Sequence, residues 1–158
     1  MKRHLFLTGS IGCGKSTAIT VALGEKITQC GGFLTRRYRD PYLHFTLESP
    51  DGNVKSTFLD FASGKPEVDL AVFSKNYLRG ETLVLDEIGG IELLDPEFAS
   101  ALEAVLSSGI PILGVLKGEG AANNTAIGGA ALQNLRLYHS IMGMPAGHDA
   151  DIIFISNR

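Results

Sequence analysis

The sequence contains few cysteines, little excess charge and no long hydrophobic run. Its two cysteines, Cys13 and Cys30, lack the spacing of a metal site, so we interpret them as reduced thiols of a cytoplasmic protein. No apolar stretch approaches the length that crosses a membrane, and the run behind the basic N-terminus is too short for a signal peptide. A formal net charge of −3 argues against a large nucleic-acid surface. We therefore expect no nucleic-acid or membrane partner, and the sequence identifies no protein partner.

The length and composition are those of one globular domain. The chain has 158 residues and a mass of 16.9 kDa, and 44% of its residues are hydrophobic. A chain of this size buries a real core but leaves little room for a second domain. We expect a single domain over residues 1–158.

A phosphate-binding loop lies close to the N-terminus. It has the pattern G-x-x-x-x-G-K-[ST] and comprises Gly9, Ser10, Ile11, Gly12, Cys13, Gly14, Lys15, Ser16 and Thr17. A short apolar strand pattern precedes it and a helical pattern follows it, which is the context that the motif needs. Backbone N–H groups and the helix dipole would then cradle a polyphosphate, and Gly9, Gly12 and Gly14 would allow its close approach. We expect Lys15 to reach the β- and γ-phosphates and Ser16 to ligate Mg²⁺.

Alternating strand and helix patterns follow the loop. We predict strands over 3–8, 32–39, 42–48, 54–59, 81–86, 111–116 and 151–156, helices over 15–28, 66–78, 95–109 and 130–142, and a mobile loop over 117–130. Residues 33–59 favour an antiparallel hairpin beside the other strands. The fold class is therefore α/β, with a mostly parallel sheet and its ligand at the carboxyl ends of the strands.

Two carboxylates come at the end of the fifth predicted strand, 81–86. Asp86 and Glu87 follow the aliphatic run 83–85. A P-loop enzyme needs a carboxylate at the tip of a strand next to the loop strand, so we expect Asp86 to bind Mg²⁺ beside Ser16. Glu87 would then polarise a water that attacks the γ-phosphate. Taken alone, the pattern is also that of a strand entering a solvated turn.

The chain resembles the small P-loop nucleoside-triphosphatases of the thermostable, cancer-related type. Residues 86–93, DEIGGIEL, are similar to that family's D-E-I-G-K-M-E-L, and Gly32–Thr35 followed by Arg39 resembles its G-F-Y-T…R segment. Residues 107–115 and the closing 155–158 are similar to further family segments. Gly90 and Ile91 depart from the pattern, as do Arg36 or Arg37 where the family has an acidic residue. The resemblance implies the three-layer P-loop NTPase fold and Mg²⁺-dependent hydrolysis of nucleoside triphosphates such as ATP or GTP, with loose base preference.

Hydrolysis also needs a cation that neutralises charge in the transition state. The resemblance points to Arg39 first, with Arg37 and Arg79 after it, although each could equally be a solvated arginine. Lys117 is a further candidate at a strand end. Asn157 and Arg158 could contact the base or, as a chain terminus, fray.

Two other functions stay open. A nucleotide or small-metabolite kinase could use the same loop, but residues 117–150 offer few cations for a kinase lid. A nucleotide-gated binding module would show little turnover until a partner supplied an arginine. Glu92, just beyond the carboxylates, could orient the site, cap a helix or lie at the surface.

Overall fold

The fold is built on one mixed sheet. A computed structural model describes residues 4–9, 14–116 and 150–155, the last of these as backbone only. The described strands are β1 (His4–Gly9), β2 (Gly31–Tyr38), β3 (His44–Glu48), β4 (Lys55–Asp60), β5 (Glu67–Val68), β6 (Leu83–Ile88), β7 (Ile112–Leu116) and β8 (Ala150–Ile155). They pair in the order β5-β4-β3-β2-β6-β7-β1-β8.

The sheet has a parallel half and an antiparallel half. The strands β2, β6, β7, β1 and β8 run parallel to their neighbours in that group. The strands β3, β4 and β5 continue the sheet from β2 in antiparallel pairs. This agrees with the predicted parallel sheet and its antiparallel hairpin over residues 33–59.

Helices cover both faces of the parallel half. Helix α1 (Lys15–Leu23) places Ile19 against Val84, whereas helix α2 (Pro96–Leu106) packs on the opposite face with Leu85. Strands that are buried on both faces have continuous aliphatic sequences, and residues 83–85 of β6 form such a sequence. None of the described helices is both long and apolar enough to cross a membrane.

The helices predicted over 15–28 and 95–109 both end earlier in the structure. The helix predicted over 15–28 is α-helical only to Leu23, because Gly24 adopts φ 54 and begins a 3-10 helix, Gly24–Gln29. A positive φ interrupts the regular α-helical backbone, and glycine adopts it readily because it has no Cβ. Helix α2 begins as predicted, with the Asp95 side chain accepting hydrogen bonds from the amides of Glu97 and Phe98, and it ends at Leu106.

The helix predicted over 66–78 is wrong. The segment forms β5 and two 3-10 helices, Leu70–Val72 and Lys75–Leu78. The side chains of Asp69 and Ser74 accept hydrogen bonds from amides two residues ahead, which begins a short turn twice and interrupts a continuous helix.

Gly32 lets β2 lie directly against β6. Its φ is 97, and a Cβ at this position would sit 1.8 Å from the carbonyl oxygen of Val84. No side chain fits such an approach, and left-handed backbone is strained for every residue except glycine. The close pairing matters for function because it aligns the carboxyl end of β2 with that of β6.

We predict that Gly32→Ala lowers the free energy of unfolding by about 3 kcal/mol or more, since steric overlap adds to backbone strain. Gly64→Ala is the matched control, because Gly64 has a similar φ of 83 and open space around it. The control should lose only about 1 kcal/mol. Urea unfolding of both variants measures the difference, and equal losses would contradict the overlap with Val84.

Candidate active site

The described ends of the phosphate-binding loop have backbone angles that suit glycine. Gly9 ends β1 with φ 147, and Gly14 precedes α1 with φ 88. The predicted loop residues Ser10, Ile11, Gly12 and Cys13 lie outside the described residues. The chain therefore leaves the sheet and enters α1 through two glycines, as the motif requires.

Lys15 lies across this turn. Its side chain is only 8% exposed, and its Nζ donates a hydrogen bond to the carbonyl oxygen of Gly9 at 3.2 Å. A buried ammonium costs free energy unless it is hydrogen-bonded, and this contact holds the positive charge next to Gly9. The charge is thus placed at the carboxyl end of β1.

The hydroxyl of Ser16 joins the loop to the second motif. Its Oγ donates a hydrogen bond to Oδ1 of Asp86 at 2.7 Å, across 70 positions of sequence. The structure therefore brings together the two residues predicted to share a metal ion. Thr17, the last residue of the motif, is exposed on α1.

The route by which these residues meet differs from the prediction. We expected the Asp86 strand next to the loop strand, but β7 lies between β6 and β1. The contact forms because α1 lies over β7, with Ile19 in the same apolar cluster as Val115 of β7 and Val84 of β6. The first turn of α1 thus reaches across β7, and Ser16 lies next to Asp86 of β6.

Asp86 is enclosed by hydrogen bonds. It is fully buried, and Oδ2 accepts a hydrogen bond from the Thr35 amide at 3.2 Å in addition to the bond from Ser16. The Thr35 hydroxyl donates to the Asp86 carbonyl oxygen at 2.9 Å. Burial raises the pKa of Asp86 from 3.8 to about 6, with Glu87 adding to the rise and the bonds from Ser16 and Thr35 opposing it.

Glu87 occupies a bulge in β6. Leu85 pairs with Gly114 of β7 and Ile88 pairs with Leu116, so three steps along β6 match two along β7. Glu87 is the only described residue other than glycine with a positive φ, at 64. A bulge redirects a side chain and is often found beside an active site.

The bulge also changes the face of the sheet on which the side chains after it lie. Leu83 and Leu85 pack on the α2 side, and so does Ile88, although strict alternation would place Ile88 on the α1 side. The extra residue therefore lets Asp86 face Ser16 while Ile88 stays in the core. Glu87 is left half-buried at the carboxyl end of the strand.

The predicted arginines lie in three different places. Arg37 is exposed near the end of β2, and Arg39 is exposed just past it. Arg79 precedes β6 and lines a cleft of about 820 Å³ with Gly31 and Gly80, at the amino ends of the strands. Parallel strands hold the phosphate-binding loop at their other ends, so Arg79 is the wrong candidate.

Arg36 is the arginine that our sequence prediction missed. Leu34 packs in the cluster on the α1 side, so Arg36, two residues along β2, shares the face of Asp86. Its positive charge opposes the rise that burial causes in the pKa of Asp86. Against the effect of burial, it also adds to the hydrogen bonds from Thr46 and Tyr38 and to the charge of Lys55, which together lower the pKa of Glu48. Alternation along β2 was the signal that could have found it.

Three other candidate residues, Lys117, Asn157 and Arg158, lie outside the described residues. The loop predicted over 117–130 and the helix predicted over 130–142 also lie outside them.

Sequence comparison relates the chain to nucleoside-triphosphatases. A family model described as NTPase matches residues 4–127. Nucleoside-triphosphatase THEP1 of Methanocaldococcus jannaschii is 27% identical over 132 residues, which cover 72% of this chain and 77% of that protein. The cancer-related nucleoside-triphosphatase homolog of Mus musculus is 29% identical over 145 residues, covering 73% of this chain and 76% of that one.

Two solved structures share the fold. The crystal structure of THEP1 from Aquifex aeolicus has a TM-score of 0.59 at 18% identity, covering 97% of this chain and 90% of that one. The solution structure of a human cancer-related nucleoside triphosphatase has a TM-score of 0.61 at 23% identity, covering 99% and 89%. The predicted P-loop NTPase fold is confirmed. Because the family model spans most of the chain, the protein belongs to the NTPase family, which also confirms the predicted enzyme class of nucleoside-triphosphatase.

Proposed function

We propose that the protein hydrolyses the γ-phosphate of nucleoside triphosphates of the ATP or GTP type, with Mg²⁺, to a diphosphate and phosphate. The observation that carries this proposal is the 2.7 Å hydrogen bond between Ser16 and Asp86. It joins the end of the phosphate-binding loop to the carboxylate strand, and hydrolysis needs both.

The oxygen atoms of Ser16 and Asp86 suit Mg²⁺. Magnesium prefers hard oxygen ligands and is commonly held by one or two protein groups together with substrate phosphates. The hydroxyl and the carboxylate already touch, so they would hold the ion together. When bound, the ion neutralises charge on the phosphate oxygens.

Lys15 would hold the triphosphate. Its ammonium group donates a hydrogen bond to the carbonyl oxygen of Gly9. Phosphate oxygens are stronger acceptors than a carbonyl, because they carry charge. The ammonium would exchange this contact for the β- and γ-phosphates and stabilise the charge that develops between them.

Glu87 would act as the general base. Glu87 lies in the bulge directly after Asp86, at the carboxyl end of β6, and the γ-phosphate would bind at that end of the sheet. It would take the proton of a water whose oxygen forms the new bond to the γ-phosphorus. The bond from that phosphorus to the bridging oxygen breaks, and the diphosphate leaves with its electron pair.

Arg39 remains the predicted cation of the transition state, and Arg36 competes with it. Among the residues that the structure describes, Arg36 has a charge that opposes the rise that burial causes in the pKa of Asp86. Arg37 lies on β2 directly after Arg36, and alternation along the strand places the two residues on opposite faces.

The first test measures phosphate release. Wild-type protein with Mg²⁺ and each of ATP, GTP, CTP and UTP should release phosphate, and Lys15→Ala should not. Equal rates in the two proteins would contradict hydrolysis at this loop. Faster transfer of the γ-phosphate to an acceptor than to water would favour a kinase instead.

Glu87→Gln should lower kcat by about 100-fold or more, while nucleotide affinity changes by less than about threefold. Glutamine keeps the size of the side chain but cannot accept the proton. Single-turnover hydrolysis and nucleotide titration measure the two quantities. Unchanged turnover would remove Glu87 as the base.

The arginines can be ranked by single substitutions. Arg36→Ala or Arg39→Ala should lower kcat by about 10³-fold if that guanidinium neutralises the transition state. Arg37→Ala is the matched control on the same strand and should leave kcat near the wild-type value. Hydrolysis rates at saturating nucleotide decide between Arg36 and Arg39.

The raised pKa of Asp86 predicts how the metal-free protein responds to pH. The folded state holds this proton up to about pH 6, whereas the unfolded chain releases it near 3.8. The carboxyl therefore removes stability as pH rises from about 4 to 6, by roughly 2–3 kcal/mol. Carbon NMR of aspartate carboxyl groups should show one midpoint near 6 that is lost in Asp86→Asn, and a midpoint near 4 would contradict this.

A further inference from the structure

Glu92 is a buried carboxylate that the proposed chemistry does not use directly. Its side chain is 3% exposed and lies between the buried residues Ile91 and Leu93 in the 3-10 helix Ile91–Leu94. Burying a carboxylate costs free energy unless hydrogen bonds compensate. Its hydrogen-bond partners therefore indicate its role.

The Glu92 carboxylate closes the turn that follows β6. Its Oε1 accepts hydrogen bonds from the amides of Gly89 and Gly90, the second at 2.9 Å. Gly89 has φ 102, and the chain bends at Gly89 and Gly90 just beyond the bulge. One oxygen atom thus holds two successive amides of this turn.

The bulge needs support on both sides. A residue other than glycine keeps a left-handed backbone only where its surroundings determine it, and Glu87 has φ 64. On the side before Glu87, the amide and hydroxyl of Thr35 hold Asp86. On the side after it, Ile88 packs in the core, and the next residues are the two glycines bound by Glu92.

We propose that Glu92 is a positioning residue that keeps Glu87 aimed at the γ-phosphate by holding the Gly89–Gly90 turn. This inference rests on the proposed role of Glu87 as the base. Glycines alone would leave the turn free to adopt many conformations. The carboxylate of Glu92 stabilises one conformation of the turn. This conformation fixes the position of Ile88 and therefore that of the bulge before it.

Two conservative variants separate this role from a role of the charge. Glu92→Asp keeps the charge but withdraws the oxygen by one methylene group from both amides. Glu92→Gln removes the charge but keeps an oxygen at the same reach. We expect the Asp variant to lower kcat by about 10-fold to 100-fold, since small displacements of a reacting group have effects of this size. The Gln variant should stay within about threefold of wild type, and nucleotide affinity should be nearly unchanged in both.

A double-mutant cycle tests whether Glu92 acts through Glu87. The Glu92→Asp substitution is introduced into wild type and into Glu87→Gln, and single-turnover hydrolysis of MgATP is measured in all four proteins. If Glu92 only positions the base, its substitution should change the rate of the Glu87→Gln protein by less than about twofold. Leu93→Ala, at a neighbouring buried residue, controls for general destabilisation and should lower kcat about equally in both backgrounds or in neither.

Three kinetic results would overturn the inference: wild-type kcat in Glu92→Asp, the same loss of rate in both backgrounds, or a loss in Glu92→Gln as large as that in Glu92→Asp. If Glu92→Asp does not fold, Glu92→Gln decides the case. Its side-chain oxygen can still accept hydrogen bonds from both amides, so loss of its turnover would contradict the inference.

A structural readout separates this inference from the proposed function. If wild type releases no phosphate, or if Glu87→Gln keeps wild-type turnover, the proposed role of Glu87 fails. A crystal structure of Glu92→Asp then tests the positioning by itself. Departure of Glu87 from its left-handed backbone supports the inference, and an unchanged Glu87 overturns it.

Discussion

The hydrogen bond between Ser16 and Asp86 sets the geometry of the whole site. It forms only because α1 lies across β7, where Leu113 and Val115 provide the apolar surface on which Ile19 rests. If the helix shifted by one turn, about 5.4 Å, Ser16 would leave the carboxylate. The packing of α1 on β7 is therefore as much a part of the site as the polar residues.

The second constraint is the close pairing of β2 with β6. Gly32 allows the two strands to approach, and the amide and hydroxyl of Thr35 then reach Asp86. The carboxylate is thus held by α1 on one side and by β2 on the other. Three segments far apart in the sequence must therefore be correctly placed to form the proposed ion site at Asp86.

Local patterns predicted the parts of the site that depend on neighbouring residues. The loop from Gly9 to Thr17 and the carboxylates Asp86 and Glu87 were recognisable because each motif lies within a few residues of a strand. The position of β7 between β6 and β1 was not predictable in this way, since the pairing of distant strands leaves no local pattern.

Two other failures have the same physical origin. The apolar spacing of Val68, Val72 and Leu78 suits a helix, yet it is satisfied equally by a short strand followed by two turns that Asp69 and Ser74 begin. The sequence likewise does not show which arginine could contact a phosphate. This depends on the end of the sheet at which the arginine lies and on the face of its strand. Thus Arg79 fell at the far edge, and Arg36 was overlooked.

The left-handed backbone of Glu87 lowers the stability of the fold, whereas the proposed reaction needs a carboxylate at this position. Glycine adopts φ 64 without penalty, whereas glutamate there costs about 1 kcal/mol or more. A design procedure that maximised thermal resistance alone would therefore replace Glu87 with glycine and discard the proposed base. Glutamate at this position lowers the free energy of unfolding relative to glycine. Thermostabilised versions of this enzyme should nevertheless keep it.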